Sequence, residues 1–151
     1  MKSTLLSESH GRGEWAVVFD PGDEAMAGLR RFAAERQLTS AHFTGIGALS
    51  DVTTGWFTLG AQRYEPTEIR EQVEPLSLIG DVAEGPDGKP AVHAHIVVGK
   101  RDGTAHGGHL LAAHVRPTLE LVVTESPTHL HKTMRPEFGI ALIDLTQSTQ
   151  G

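Results

Sequence analysis

The chain has 151 residues, enough for one domain that buries a core without disulfides or a structural metal. It has no cysteine, which excludes disulfide frameworks, cysteine zinc fingers and thiol nucleophiles. Its formal charge of -6, from 13 basic against 19 acidic residues, argues against a basic face for phosphate backbones, so direct DNA binding is expected to be weak or absent.

The opening stretch MKSTLLSESHGRGEW has two consecutive leucines before polar residues resume, too little for the apolar part of a signal peptide. No run approaches the roughly 18 apolar residues of a membrane span. The expectation is a cytoplasmic single domain, 1–151, with its core over about 10–146 and TQSTQG as a frayed tail. EWAVVFD, residues 14–20, predicts a strand, and the turn DPGD supplies capping residues for a helix over 23–37. Met26, Leu29, Phe32 and Ala33 fall on one face of that helix. Period-two, β-branched segments then follow at 41–50, 52–59, about 70–84, 91–99, 109–125 and 138–145, separated by Gly, Pro and Asp-Gly. Strands that arrive without helices between them favour antiparallel pairing. The fold class is therefore α+β: about seven mostly antiparallel strands with one main helix packed on the sheet.

Residues 93–110, HAHIVVGKRDGTAHGGHL, hold four of the nine histidines. On a strand, positions i and i+2 share a face about 6.6 to 6.8 Å apart, so His93 and His95 project together while Ala94 and Ile96 point into the core. Asp102-Gly103 predicts a two-residue hairpin turn that returns the chain alongside 91–99. In that register His109 lies opposite Ile96, on the wrong face. A bulge at Gly107-Gly108 would move it opposite Val97 and onto the face of His93 and His95, and a longer, wider loop would serve equally well. Three imidazoles suit zinc first, among divalent transition metals, and leave a coordination position open for water or a small-molecule ligand. The alternative is a half-exposed strand that happens to carry histidines.

HAH, thirteen residues, then His109 preceded by Gly-Gly and followed by LLAAHVRPTLELVVTES resembles the plants-and-prokaryotes-conserved (PPC) domain family. TGIGAL at 44–49 and FGIALIDL near the end are similar to its bacterial members. The resemblance covers roughly 10–146. It implies a largely antiparallel seven-stranded sheet, a homotrimer, and a histidine motif on His93, His95 and His109 with Gly103, Gly107 and Gly108, at which some relatives hold a metal. Plant members pair the domain with AT-hooks that bind A/T-rich DNA. This chain has no Arg-Gly-Arg-Pro core, and GRG at 11–13 is a poor substitute, so a regulatory role would run through protein partners.

Glu120, in TLELVV, faces away from Leu119, Leu121 and Val123, where it is a candidate fourth ligand, imidazole acceptor or general base, or an ordinary solvated carboxylate. His129 and His131 repeat the i, i+2 spacing between Pro127 and Pro136. That segment reads as a mobile loop, which holds ligands poorly. His106 and His114 read as surface or interface residues, with His106 near enough in sequence to compete with His109. Gly45-Ile46-Gly47 follows a helix and lacks the third glycine of a dinucleotide loop, so it reads as a place of close backbone approach or a strand bend. There is no Gly-X-Ser-X-Gly. Trp56, Phe57 and Tyr64 could line a pocket or an interface, but among only eight aromatics they read first as structural.

Overall fold

A computed structural model describes residues 1–150. The chain runs β1 (Lys2–Ser9), β2 (Arg12–Phe19), α1 (Ala25–Glu35), β3 (Ser40–Thr58), a 3-10 turn (Leu59–Ala61), β4 (Arg63–Ile69), β5 (Glu74–Glu84), β6 (Pro90–Gly99), β7 (Ala105–Glu125), β8 (Thr128–His129), β9 (Lys132–Arg135), β10 (Ile140–Ile143) and β11 (Thr149–Gln150). Seven strands form one antiparallel sheet in the order β1-β2-β7-β6-β5-β3-β4, and β9–β10 and β8–β11 form two small hairpin-like sheets beside it. The expected α+β class with one helix holds.

Two strands are much longer than their sequence segments. β3 runs straight through Asp51, where punctuation between 41–50 and 52–59 suggested a break; the ladder instead shifts register between Gly47 and Asp51. β7 begins at Ala105 and pairs with β6 over 105–109 and with β3 over 109–125. Because β3 and β7 also pair directly, β7, β6, β5 and β3 close into a ring. Gly45 and Gly47 permit this closure: a Cβ on Gly47 would run into the Thr118 carbonyl oxygen of β7, and one on Gly45 would meet the Leu121 side chain. Close backbone approach is thus what TGIG encodes.

Alternating residues fill the interior. Val17 and Phe19 of β2, Phe43 and Leu49 of β3, Leu78 of β5, Ala94, Ile96 and Val98 of β6 and Leu119, Leu121 and Val123 of β7 join one buried cluster with Met26, Leu29, Phe32 and Ala33 of α1. The helix packs against β6 and β7, so the opposite face of β6 is the one left free for chemistry.

The helix is shorter than the expected 23–37. Asp23 does not cap it, because its carboxylate is taken by the Asp20 N–H (2.9 Å) and the N-terminal ammonium (2.6 Å). Glu24 caps instead, accepting from the Met26 and Ala27 N–H groups at 3.1 and 2.6 Å, and from the Ala113 N–H of β7 at 3.0 Å. Glu24→Ala therefore removes a cap and leaves a sheet donor without its partner, and is expected to cost about 1 kcal/mol or more in urea unfolding. A midpoint equal to that of the parent chain would show that the cap contributes nothing.

Both termini correct the expectation. Lys2–Ser9, outside the expected core, pairs along β2. The tail is not frayed through its length, since Thr149 and Gln150 pair with His129 and Thr128. The segment 138–145 resolves into the turn and β10 of a hairpin with β9, and the 63–69 stretch forms β4 on the free edge of β3. No helix among the described residues is long and apolar enough to cross a membrane.

Candidate metal centre

The β6–β7 hairpin turns on three residues, Arg101, Asp102 and Gly103, one more than the predicted pair. Lys100 N–H donates to the Thr104 carbonyl (2.9 Å), Gly103 N–H donates to the Lys100 carbonyl (3.0 Å), and Gly103 sits at φ +83°, in the left-handed region that glycine favours. Asp102 fixes the turn by accepting from the Thr104 N–H and hydroxyl at 3.0 and 2.6 Å. The extra residue shifts the register so that His109 lies directly opposite His95. Gly107 and Gly108 pair regularly with Val97 and Ile96, so the expected bulge is absent and the longer loop does its work. A Cβ on Gly107 would crowd the Ile96 carbonyl oxygen at 2.7 Å, and one on Gly108 the Gly55 carbonyl oxygen at 3.0 Å. The double glycine lets β7 lie against two neighbouring backbones.

This register brings His93, His95 and His109 to one place. Ring centroids are 5.1 Å apart for His93–His95, 5.1 Å for His93–His109 and 5.5 Å for His95–His109. One nitrogen from each ring lies within 4.8 Å of the others. A tetrahedral ion with bonds of about 2.0 to 2.1 Å holds its ligands roughly 3.4 Å apart, so small ring rotations suffice. Burial, then the neighbouring His93 and His95, depress the His109 pKa to about 4, and burial followed by His93 also lowers that of His95. Both rings are thus kept in the neutral form that metals require. The Nδ1 of His109 is buried with no hydrogen-bond partner among the described residues. An orphaned nitrogen of this kind costs about 1 to 3 kcal/mol, which coordination would offset.

Asp81, which sequence reasoning missed, stands behind His93. It sits opposite His93 in the β5–β6 ladder, with Oδ2 3.4 Å from Nδ1 and Oδ1 accepting from Lys132 Nζ at 2.6 Å. Burial works to raise the Asp81 carboxyl, but His93 and Lys132 more than offset it and hold it below the ordinary carboxylate value. A carboxylate this near Nδ1 would favour Nε2 of His93 as the atom offered to a metal. Asp81→Asn is therefore expected to weaken zinc binding about tenfold in a chelator competition; an unchanged affinity would remove Asp81 from the site.

Tyr64 also departs from its structural reading. Its ring stacks on His109 at 4.3 Å between centroids, and it lines a cleft of about 360 Å³ with His93, His109, Lys132 and an apolar wall from Ile140 to Ile143. Trp56 is 76% exposed rather than packed. Glu120 is not brought to the three rings within one chain: its recorded hydrogen bond is from the Thr118 hydroxyl (3.4 Å), and it lines a separate depression with Ile46, Ile79 and Val122. His106 is one residue out of phase with His109 across β7, opposite buried Val98, and does not compete. His114 pairs with Asp51 at 2.8 Å. The signal for Asp81 was present only as a carboxylate on an alternating strand, since its partner depends on register.

Comparison with known proteins agrees with this architecture. A "putative DNA binding protein" from Bacteroides thetaiotaomicron superposes with a TM-score of 0.86 at 26% identity, covering 96% of this chain and 99% of that one. A metal-containing protein from Archaeoglobus fulgidus superposes with a TM-score of 0.77 at 27% identity, covering 95% and 99%. The bifunctional protein GlmU of Synechococcus sp. (strain JA-3-3Ab) is 32% identical over 108 residues, which is 70% of this chain but 16% of that protein. The chain matches the Plants and Prokaryotes Conserved (PCC) domain over residues 7–127, a span that contains the ring of strands and all three histidines, and it belongs to that family.

Proposed function

We propose that His93, His95 and His109 hold a divalent transition metal, zinc first, and that the domain acts as a metal-dependent enzyme or ligand binder for a small molecule. The observation that carries this reading is the convergence of three half-buried or exposed imidazoles around one point, with one of them held neutral and carrying an orphaned nitrogen. A structural neighbour described as metal-containing supports it. An ion held by three protein ligands supplies Lewis-acid chemistry at its open position. Around that position, Asp81 stands beside His93, Tyr64 covers one face of His109, and Ile140–Ile143 line the cleft with apolar side chains.

The assembly we propose is a cytoplasmic homotrimer. Ile46, Ile79, Val97 and Val122 are exposed on one outward face of the strand ring, the kind of surface that oligomers cover. Glu120 lies on the same face, opposite Ile46, so a role for it in acid–base chemistry would run through a neighbouring copy. The test is elemental analysis of protein purified without a nickel column, beside His93→Ala. Stoichiometric metal in the parent chain and a loss of it in the variant are expected; equal metal in both rejects the site.

A second reading is a transcription-regulatory module acting through protein partners, which rests on the DNA-binding description of a close structural neighbour. The charge of -6 opposes direct contact. An anisotropy titration with duplex DNA at low salt checks that point: no binding is expected, and tight binding that falls steeply as salt rises would overturn it.

A further inference from the structure

We propose that Glu84, His129 and His131 form a second divalent-cation site, separate from the three-histidine cluster. The carboxylate of Glu84, at the end of β5, stands between two imidazoles: Oε2 is 3.3 Å from His129 Nε2 and Oε1 is 3.1 Å from His131 Nδ1. All three side chains are partly buried, at 26%, 38% and 26% exposure respectively. One ligand atom from each residue lies within 4.8 Å of the others, and bonds of about 2.0 to 2.1 Å in tetrahedral geometry place ligand atoms roughly 3.4 Å apart, so the three groups would close onto one ion by small side-chain rotations. Two imidazoles and a carboxylate are donors that zinc and its neighbours accept, with a fourth position left for water.

The prolines at 127 and 136 suggest a loop too mobile to hold ligands, but the backbone around the two histidines is fastened on several sides. Glu84 N–H donates to the Leu130 carbonyl (2.8 Å), Leu130 N–H to the Thr39 carbonyl (3.2 Å) and Asp144 N–H to the His131 carbonyl (2.8 Å). His131 N–H donates to the Ser148 hydroxyl at 3.1 Å, and His129 pairs with Thr149. Ligands held this way lose little freedom on binding an ion. The ion would tie the end of β5 to the strands that follow β7. The two sites would then be strung along the same pair of segments, β5 with Asp81 and Glu84, and 129–132 with the two histidines and Lys132.

The test uses the full chain and removes the first site, by His93→Ala with His109→Ala, before titrating with cobalt(II) and then zinc. The double variant is expected to take up one equivalent of cobalt, with the visible bands of a low-coordinate ion that zinc displaces, and Glu84→Gln or His131→Ala added to it should abolish them. In the otherwise unaltered chain, Glu84→Gln should lower zinc stoichiometry by one equivalent, whatever the first site holds, a readout that does not depend on the double variant folding. The proposal is overturned if the double variant folds but binds no cobalt, if its bands survive Glu84→Gln, or if Glu84→Gln leaves the stoichiometry of the full chain unchanged. None of these outcomes depends on the three-histidine site being filled.

Discussion

His109→Ala is expected to weaken zinc binding at the first site by more than about 100-fold while leaving the metal-free fold nearly as stable as the parent. The first half follows from taking away one of three ligands, since even a lost partner behind a ligand costs about 10- to 100-fold. The second follows from what His109 does without metal. Its Nδ1 is buried without a partner, which destabilises, while its ring stacks on Tyr64, which stabilises. Truncation removes both, and the difference should lie within about 1 kcal/mol. Unfolding with and without zinc measures the pair of effects: the parent gains a zinc-dependent rise in midpoint that the variant lacks. A variant that keeps the rise would place the metal elsewhere, and one that unfolds without metal would make His109 a structural residue.

Acidification should destabilise the metal-free parent between about pH 6.5 and 4 more than it does His109→Ala. The folded-state pKa of His109 is about 4, against an ordinary 6.5, so between these values the unfolded chain binds a proton that the folded chain refuses. Stability from this group is complete above pH 6.5 and is lost as pH falls towards 4. At about 1.36 kcal/mol for each pH unit, and reduced because the ring is only half-buried, the loss is on the order of 2 kcal/mol. His95, also lowered, adds in the same direction. His114 works the other way: its hydrogen bond to Asp51 raises its pKa, so its contribution is present in acid and fades as pH rises through the folded value. Comparing the two proteins across this window cancels His114 and isolates His109. Parallel pH profiles would contradict the burial argument.

Much of this architecture is legible in the sequence because alternation fixes faces. The core positions Ala94, Ile96, Leu119, Leu121 and Val123, and the helical face of Met26, Leu29, Phe32 and Ala33, follow from periodicity alone and are all buried. What alternation does not fix is register. The double glycine suggested a bulge, whereas a third loop residue aligns His109 with His95, and a one-residue difference in a turn leaves no trace in the hydrophobic pattern. Asp81 was hidden for the same reason: it meets His93 only through the β5–β6 ladder. Glu120 shows the converse, for it lies on an outward face of the ring like the histidines and still stands apart from them. The C-terminal segment looked mobile from its prolines, yet it is fastened by donating to the Thr39 carbonyl and the Ser148 hydroxyl and by accepting from the Glu84 N–H, all three residues lying outside it in sequence.

The proposed activity depends on one ion reaching three imidazoles at once. Crystals of the full chain grown with zinc, with diffraction recorded on both sides of the zinc absorption edge, would locate it directly. An anomalous peak bonded to nitrogens of His93, His95 and His109, with a further position open towards the Tyr64 cleft, is the predicted result. A difference map with no peak among these rings, from protein saturated with zinc at neutral pH, would contradict it.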